Sequence, residues 1–277
     1  MDFKLLDSGD FYKLEKVGPY IFHRPSPAAV WPSSNLPEYK SVDVLYQRYQ
    51  DGKGEWIKKN KKVPDSFNIK ILDLKIEMQL TSFGHLGLFF EQMTNWKRLS
   101  SHVSSGDKVL NLFAYTGMSS LVCAMKDAEV THLDASKTSV NWAKKNAELS
   151  NLSDKKVRWL VEDVRKFVER EVRRNSVYDW IILDPPSFGR GANNESWVIE
   201  KDLVPLMKNL SLLKSKNFKG ILLSSHSPGY TAVSLDNLLV YSGFNETHSL
   251  PEDMLIDNPV YPLPSGFGAW RSSISMN

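Results

Sequence analysis

The chain has 277 residues, 42% of them hydrophobic, with 35 basic and 32 acidic side chains for a net charge of +3. That content builds one large core with room for a small appended domain and excludes fibrous and disordered classes, and the near balance of charge leaves a nucleic-acid partner to be argued from local clusters. A lone cysteine, Cys123, excludes an intramolecular disulfide and a thiolate zinc site; with no metal expected, no apolar h-region and no run of about 18 apolar residues, the expectation is a cytoplasmic protein without a membrane span. In chain order, the first 80 residues read as short strands, "FYKLEKVGPYIFHRP", "DVLYQRY", "EWIKKN" and "FNIKILDLKIEMQL", with turn residues between them, which predicts a small β-rich domain over 1–80. Inside it, "KGEWIKKNKK", Lys53 to Lys62, interleaves a tryptophan with five lysines, as an RNA-facing surface does and as a solvated strand edge also does.

A helix from about Leu88 to His102 leads into a second domain, 81–277. From Lys108 onward, short β-rich runs alternate with helical patterns: "KVLNLFA" then "SSLVCAMKDA", "VTHLDA" then "KTSVNWAKKNAEL", "VRWLVED" then "VRKFVEREVRR", "YDWIILD" then "SWVIEKDLVPLMKNLSLLKS", and finally "KGILLSSH". Such alternation predicts βαβ units and a doubly wound, mostly parallel sheet. Val164, Phe167, Val168 and Val172 make one stripe, with Arg165, Lys166, Glu169 and Arg173 opposite, so that helix packs on one face. A helix over Thr231 to Tyr241, a strand at "FNETHSL", a proline-rich loop and a last strand near "GAWRSSIS" then suggest an antiparallel edge hairpin.

Three strand ends carry candidate ligand groups. "VLNLFAYTGMSSL" is a strand, a tight turn closed by Gly117 and a helix that begins at once; glycine there lets a ligand approach the backbone or simply makes the turn. The second strand ends at Asp134, 17 residues beyond Gly117, near the spacing at which an acid meets a ribose diol; its plainer role is a charge at the helix that Ser136 caps. The third ends in Glu162 and Asp163, either able to accept from an adenine amino group, with Asp163 equally suited to capping a helix. Acids gathered at one edge cost desolvation and repel each other, which points to an adenosine-type ligand. Neither a G-x-G-x-x-G turn nor a G-x-x-x-x-G-K-[ST] loop occurs, so a nucleoside without phosphates fits better than a dinucleotide.

In that order, "LNLFAYTG", "HLDASKTSVNWAKKNAELSNL" and "LDPPSFGRG" resemble the motifs of class I S-adenosylmethionine-dependent methyltransferases, especially the group of bacterial large-subunit ribosomal RNA enzymes. The resemblance covers about Phe83 to His226. It implies a Rossmann-like, seven-stranded sheet with a reversed last strand, S-adenosylmethionine as cofactor and an RNA substrate. By this likeness Asn111, Phe113, Tyr115, Thr116 and Gly117 bracket the methionine part; Asp134 with Ala135 serves the ribose and Asp163 with Val164 the adenine; Asp184, Pro185 and Pro186 face the acceptor. "GLFFEQMTNW" resembles a further segment of the group, which makes Gln92 a cofactor contact, although Met93 and Trp96 stand where the pattern has arginines.

Methyl transfer needs a nucleophile held in line with an activated carbon, so positioning dominates. Asp184 can accept from an amino or ring N–H, the diproline carbonyls are held by restricted φ, Phe188 can stack on a base or pack as core, and Arg190 can meet phosphate. Where C5-cytosine members carry a nucleophilic cysteine, this chain reads "LLSSHSPGY"; Cys123 sits among apolar residues of a helix, and His226 is a base or a structural histidine. The expected activity is methylation of an RNA base nitrogen without a cysteine nucleophile. The alternatives are a protein or small-molecule methyltransferase and a cofactor-binding module without turnover.

Overall fold

The computed structural model describes residues 2–34, 36–49, 53–190 and 195–276, and they form two compact units. The first comprises Met1–Met93 together with Leu255–Ser265, the second Thr94–Met254 with Gly266–Asn277. The division thus falls later than residue 80, and the first unit also takes in a segment from far along the chain.

In the first unit β1 (Phe3–Gly9), β2 (Tyr12–Val17), β3 (Tyr20–Pro25), β4 (Val44–Arg48) and β5 (Gly54–Lys58) form one sheet in chain order, and β6 (Ser66–Ile71) pairs with β7 (Leu74–Gln79) in a separate hairpin. Alternation drives both: Ile69, Ile71, Leu74 and Ile76 are buried while Asn68, Lys70 and Lys75 between them are exposed. Buried Glu15 is met by Arg24 at 2.8 Å and Lys13 at 2.9 Å. Burial alone would raise its carboxyl, and the two cations hold it below the usual carboxylate range. Trp56, in the run that reads as an RNA-facing surface or as a solvated strand edge, is turned inward: its Nε1 donates to Thr81 O at 2.6 Å and its ring meets Tyr46 edge-on. Lys58 donates to Asp65 and Val63 O, whereas Lys59, Lys61 and Lys62 remain exposed.

The second unit opens with α1 (Met93–His102), preceded by a 3-10 turn at Phe90–Gln92 where a continuous helix from Leu88 was expected. Then follow β8 (Lys108–Leu112), α2 (Met118–Ala124), β9 (Glu129–Asp134), α3 (Lys137–Leu149), β10 (Val157–Val161), α4 (Val164–Arg173), β11 (Trp180–Leu183), the short pair β12 (Phe188–Arg190) and β13 (Ser196–Val198), α5 (Ile199–Ser211), β14 (Gly220–Ser225), α6 (Ala232–Tyr241), β15 (His248–Ile256) and β16 (Leu263–Ser272). The seven-stranded sheet runs β10-β9-β8-β11-β14-β16-β15, with β16 antiparallel to β14 and the five strands from β10 to β14 parallel. The doubly wound, mostly parallel sheet with a reversed strand is therefore present. The edge pair departs in detail: β15 begins at His248 and continues through Pro251, and β16 begins at Leu263, so the segment expected as a proline-rich loop is largely strand.

Register aligns the site. Leu160, Leu133, Leu112, Leu183 and Leu223 stand level across the five parallel strands, and four of them are fully buried. The next residues are Val161, Asp134, Phe113, Asp184 and Ser224, so a row of polar and bulky groups lies one step beyond the apolar layer at the carboxyl edge. On α4, Val164, Phe167 and Val168 bury as the stripe predicts. Glu171 is buried with them, accepting from the Tyr178 hydroxyl at 3.2 Å. Burial would raise its carboxyl, and hydrogen bonds from Ser176, Tyr178 and Arg174 bring it below its ordinary value.

Candidate active site

The crevice is centred where the chain reverses, between β8 and β11, as open α/β sheets place their ligands. The turn after β8 is conformationally unusual: Phe113 (φ 53°), Tyr115 (φ 48°) and Gly117 (φ 91°) all lie in the left-handed region. Two bulky side chains there cost roughly 1–3 kcal/mol each and persist because neighbours over-determine the turn. Ala114 N donates to Leu133 O at 3.1 Å, Asn146 Nδ2 donates to Thr116 O at 3.0 Å, and Asp134 Oδ2 accepts from Tyr115 N at 2.9 Å. At Gly117 a Cβ would come within 2.8 Å of the Ala143 Cβ on α3. The glycine is thus required by its backbone and by helix packing, and α2 begins directly after it.

Asp134 fastens two turns. Its Oδ1 accepts from Ser136 N at 2.8 Å, its Oδ2 from Tyr115 N, and Ser136 in turn caps α3. Desolvation raises the carboxyl, opposed by those two N–H groups. At the next strand end Asp163 caps α4 through Arg165 N at 2.9 Å and pairs with the Arg165 guanidinium at 2.8 Å. Burial opposes its ionisation, yet Arg165 and the Lys166 N–H hold it below the usual range. Glu162, read as a possible adenine partner, is instead held bidentately by Arg170. Asn111 is buried and donates from Nδ2 to Ser120 Oγ at 2.9 Å, which lies 3.0 Å from His132 Nδ1, so its side chain braces the sheet beneath the turn.

On the other side of the crevice, Asp184 and Pro185 follow β11, and Pro186 O accepts from Trp197 Nε1 at 2.7 Å. That carbonyl is therefore engaged within the protein, which ties the diproline corner to β13. The Trp197 ring also meets Phe113 edge-on at 4.8 Å, tying the corner to the turn after β8. Sequence reasoning missed Trp197; an aromatic just beyond a glycine-rich connection between two motifs was its signal. Phe188 is 55% exposed and so is no core residue, and Arg190 lies over its ring at 5.9 Å. Gly191, which closes the third motif, lies outside the described residues. Gln92 is buried within the first unit, and Ala135 and Val164 flank their acids as the sequence requires. Cys123 is fully buried on α2 and burial pushes its thiol up.

These groups fit a phosphate-free nucleoside cation. Glu162 and Asp163 have their own arginines, whereas Asp134 accepts from two backbone N–H groups and pairs with no arginine among the described residues; the acidic edge favours a positive ligand over a phosphate. Phe113, Tyr115, Thr116, Gly117, Asp134, Asp163 and Asp184 all belong to this carboxyl edge, whereas Asn111 stands one residue below the leucine layer and bonds Ser120. Among the described residues no cluster suited to a metal ion and no helix long and apolar enough to cross a membrane occurs.

Residues 24–251 match a family described as S-adenosylmethionine-dependent methyltransferase. Ribosomal RNA large subunit methyltransferase K/L of Shewanella oneidensis is 37% identical over 145 residues, 52% of this chain and 20% of that protein. The chain thus spans about a fifth of the length of the curated relatives it matches. The crystal structure of the SAM-dependent methyltransferase from Agrobacterium tumefaciens superposes with a TM-score of 0.93 at 33% identity, covering 99% of this chain and 91% of that one. SMU.776, a methyltransferase complexed with SAH, superposes with a TM-score of 0.76 at 21% identity, covering 97% and 74%, and shares the fold.

Proposed function

The chain belongs to the S-adenosylmethionine-dependent methyltransferase family, and from that premise we propose that it methylates a nitrogen of an RNA base, in ribosomal RNA, without a cysteine nucleophile. When bound, S-adenosylmethionine supplies a methyl carbon already activated by a sulfonium. The observation that carries the reading is the register that sets Asp134, Phe113 and Asp184 side by side at the reversal of the sheet. Asp134 takes the ribose hydroxyls, the strained turn from Asn111 to Gly117 lies along the methionine part, and Asp163 with Val164 borders the adenine. Asp184 and the Pro185 carbonyl receive the N–H of the acceptor, while exposed Phe188 stacks on the base and Arg190 meets its phosphate. Gln92 is retained as a cofactor contact by its likeness to the family segment. The sole cysteine is buried and held protonated, which supports direct attack by nitrogen. A ribosomal RNA acceptor places the enzyme in the cytoplasm.

Purified protein incubated with methyl-labelled S-adenosylmethionine and RNA from cells lacking the gene should label RNA, and nucleoside mass mapping should find the methyl on nitrogen. Label on protein, on a small molecule, or on carbon 5 of a pyrimidine would overturn the substrate reading. Asp184→Ala should lower turnover by a factor of roughly 100 or more while leaving cofactor affinity within about twofold.

A further inference from the structure

We propose that Trp197 is a positioning residue that couples cofactor binding to acceptor binding, by holding the turn after β8 and the diproline corner after β11 at one spacing. The inference rests on the methyl-transfer reading and adds how its two halves are kept in line. β8 and β11 are paired neighbours, with Leu112 opposite Leu183, but the ladder ends there and both loops run on beyond it. Transfer tolerates little error in the approach of nucleophile to carbon, and a displacement of about 1 Å costs on the order of 100-fold in rate. A group that spans the two loops therefore governs the chemistry.

The bonds of the turn after β8 point away from β11. Ala114 N reaches Leu133 O and Tyr115 N reaches Asp134 on the β9 side, while Asn146 of α3 holds Thr116 O. Toward β11 the turn meets Trp197, whose ring centroid lies 4.8 Å from that of Phe113 at an interplanar angle of 60°. The same indole donates from Nε1 to Pro186 O at 2.7 Å. An edge-on aromatic contact and an N–H bond are both directional, so one side chain, 5% exposed, fixes the turn and the corner together.

Trp197 is itself anchored from a third side. It pairs with Gly189 in the β12–β13 hairpin, between Phe188 and Arg190, and Val198 N donates to Asp202 Oδ2 at 2.8 Å where α5 starts. Arg165, which pairs with Asp163 at 2.8 Å, also donates to Ser196 O and to Asp202 Oδ1, each at 3.0 Å. Lys166 joins Glu195 at 2.6 Å. A cofactor seated between Phe113 and Asp163 thus bears on groups that converge on Ser196 and Trp197 from both of its ends. The hairpin that presents Phe188 and Arg190 responds to it. By linkage, bound acceptor tightens the cofactor by the same factor as cofactor tightens the acceptor.

Trp197→Phe keeps a ring beside Phe113 and deletes the N–H, whereas Trp197→Leu deletes both. Each is compared with wild type in melting temperature, Kd for S-adenosylhomocysteine by calorimetry, Kd for acceptor RNA with and without saturating S-adenosylhomocysteine, kcat and KM. Wild type should bind RNA about fivefold or more tightly with S-adenosylhomocysteine present. In Trp197→Phe that factor should fall below about twofold and kcat should drop by roughly 30-fold, with cofactor affinity in the absence of RNA within about threefold. Trp197→Leu should lose more in kcat. A residue that only packs would lower the melting temperature and leave both the coupling factor and kcat of the folded enzyme intact, so that result overturns the proposal. Wild-type RNA affinity that ignores S-adenosylhomocysteine overturns it as well. If neither variant folds, the indole 15N–H resonance of Trp197 in wild type decides: it should shift on saturation with S-adenosylhomocysteine, and an unmoved resonance sinks the coupling. Wild type that binds cofactor yet labels no RNA removes the substrate reading by itself, because that resonance is read without RNA and still tests the tie.

Discussion

Asp134 carries opposed demands. Its carboxyl is raised by desolvation, so the folded chain without ligand holds a charge that its surroundings disfavour at neutral pH; a hydroxyl pair brought to it relieves that cost. Asp134→Ala should weaken S-adenosylmethionine binding by about 1–3 kcal/mol, roughly 5- to 150-fold in Kd by calorimetry. Wild-type affinity in that variant would remove the ribose role. His132 is the other residue whose ionisation matters. It is fully buried at the centre of β9, facing Ser120, and burial lowers its pKa to about 3. An unfolded histidine takes up its proton near pH 6.5, whereas the folded one stays neutral until about pH 3, so stability is lost as pH falls through that window, at about 1.4 kcal/mol per pH unit. Between pH 6.5 and 5 the loss from this residue is about 2 kcal/mol. Urea denaturation of His132→Gln should show a correspondingly flatter pH dependence, and an unchanged slope would show that the imidazole does not remain neutral.

At the level of elements, α5 contains a test of how tertiary packing overrides propensity. Pro205 lies inside the helix and is exposed, while Leu203, Leu206, Met207 and Leu210 around it are buried. Proline in a helix interior removes a hydrogen bond and crowds the preceding turn, and the helix persists because the apolar face is covered. Pro205→Ala should therefore stabilise the protein by about 1–2 kcal/mol, part of the helical gain being offset by the freer unfolded chain. A lower melting temperature in that variant would mean that the proline shapes the helix usefully. The sheet elements were the most legible in the sequence, because short apolar β-rich runs alternated with helical patterns and α4 carried one clear stripe. The edge pair was the least legible: Pro251 and Pro264 suggested a loop, yet an edge strand tolerates proline on its unpaired side, as β15 does at the margin of the sheet.

For the molecule as a whole, the placing of Asp134, Asp163 and Asp184 along one edge was readable because a parallel sheet brings successive strand ends together, whatever those acids bind. Roles that depend on partners far along the chain were not readable. Nothing in the motif announced that Pro186 O would be taken by Trp197, that Glu162 would be taken by Arg170, or that Gly117 would be required by Ala143. The division into units was also hidden. Leu255–Ser265 belongs with the N-terminal residues, where Asn258 Nδ2 donates to Leu5 O at 3.3 Å and Tyr261 lies against Trp31. One excursion of the chain thus completes a unit begun some 250 residues earlier. During translation, the N-terminal sheet must wait with that place unfilled until the segment leaves the ribosome, and the catalytic sheet lacks β16 until moments later, so both halves close at nearly the same time however early the first began.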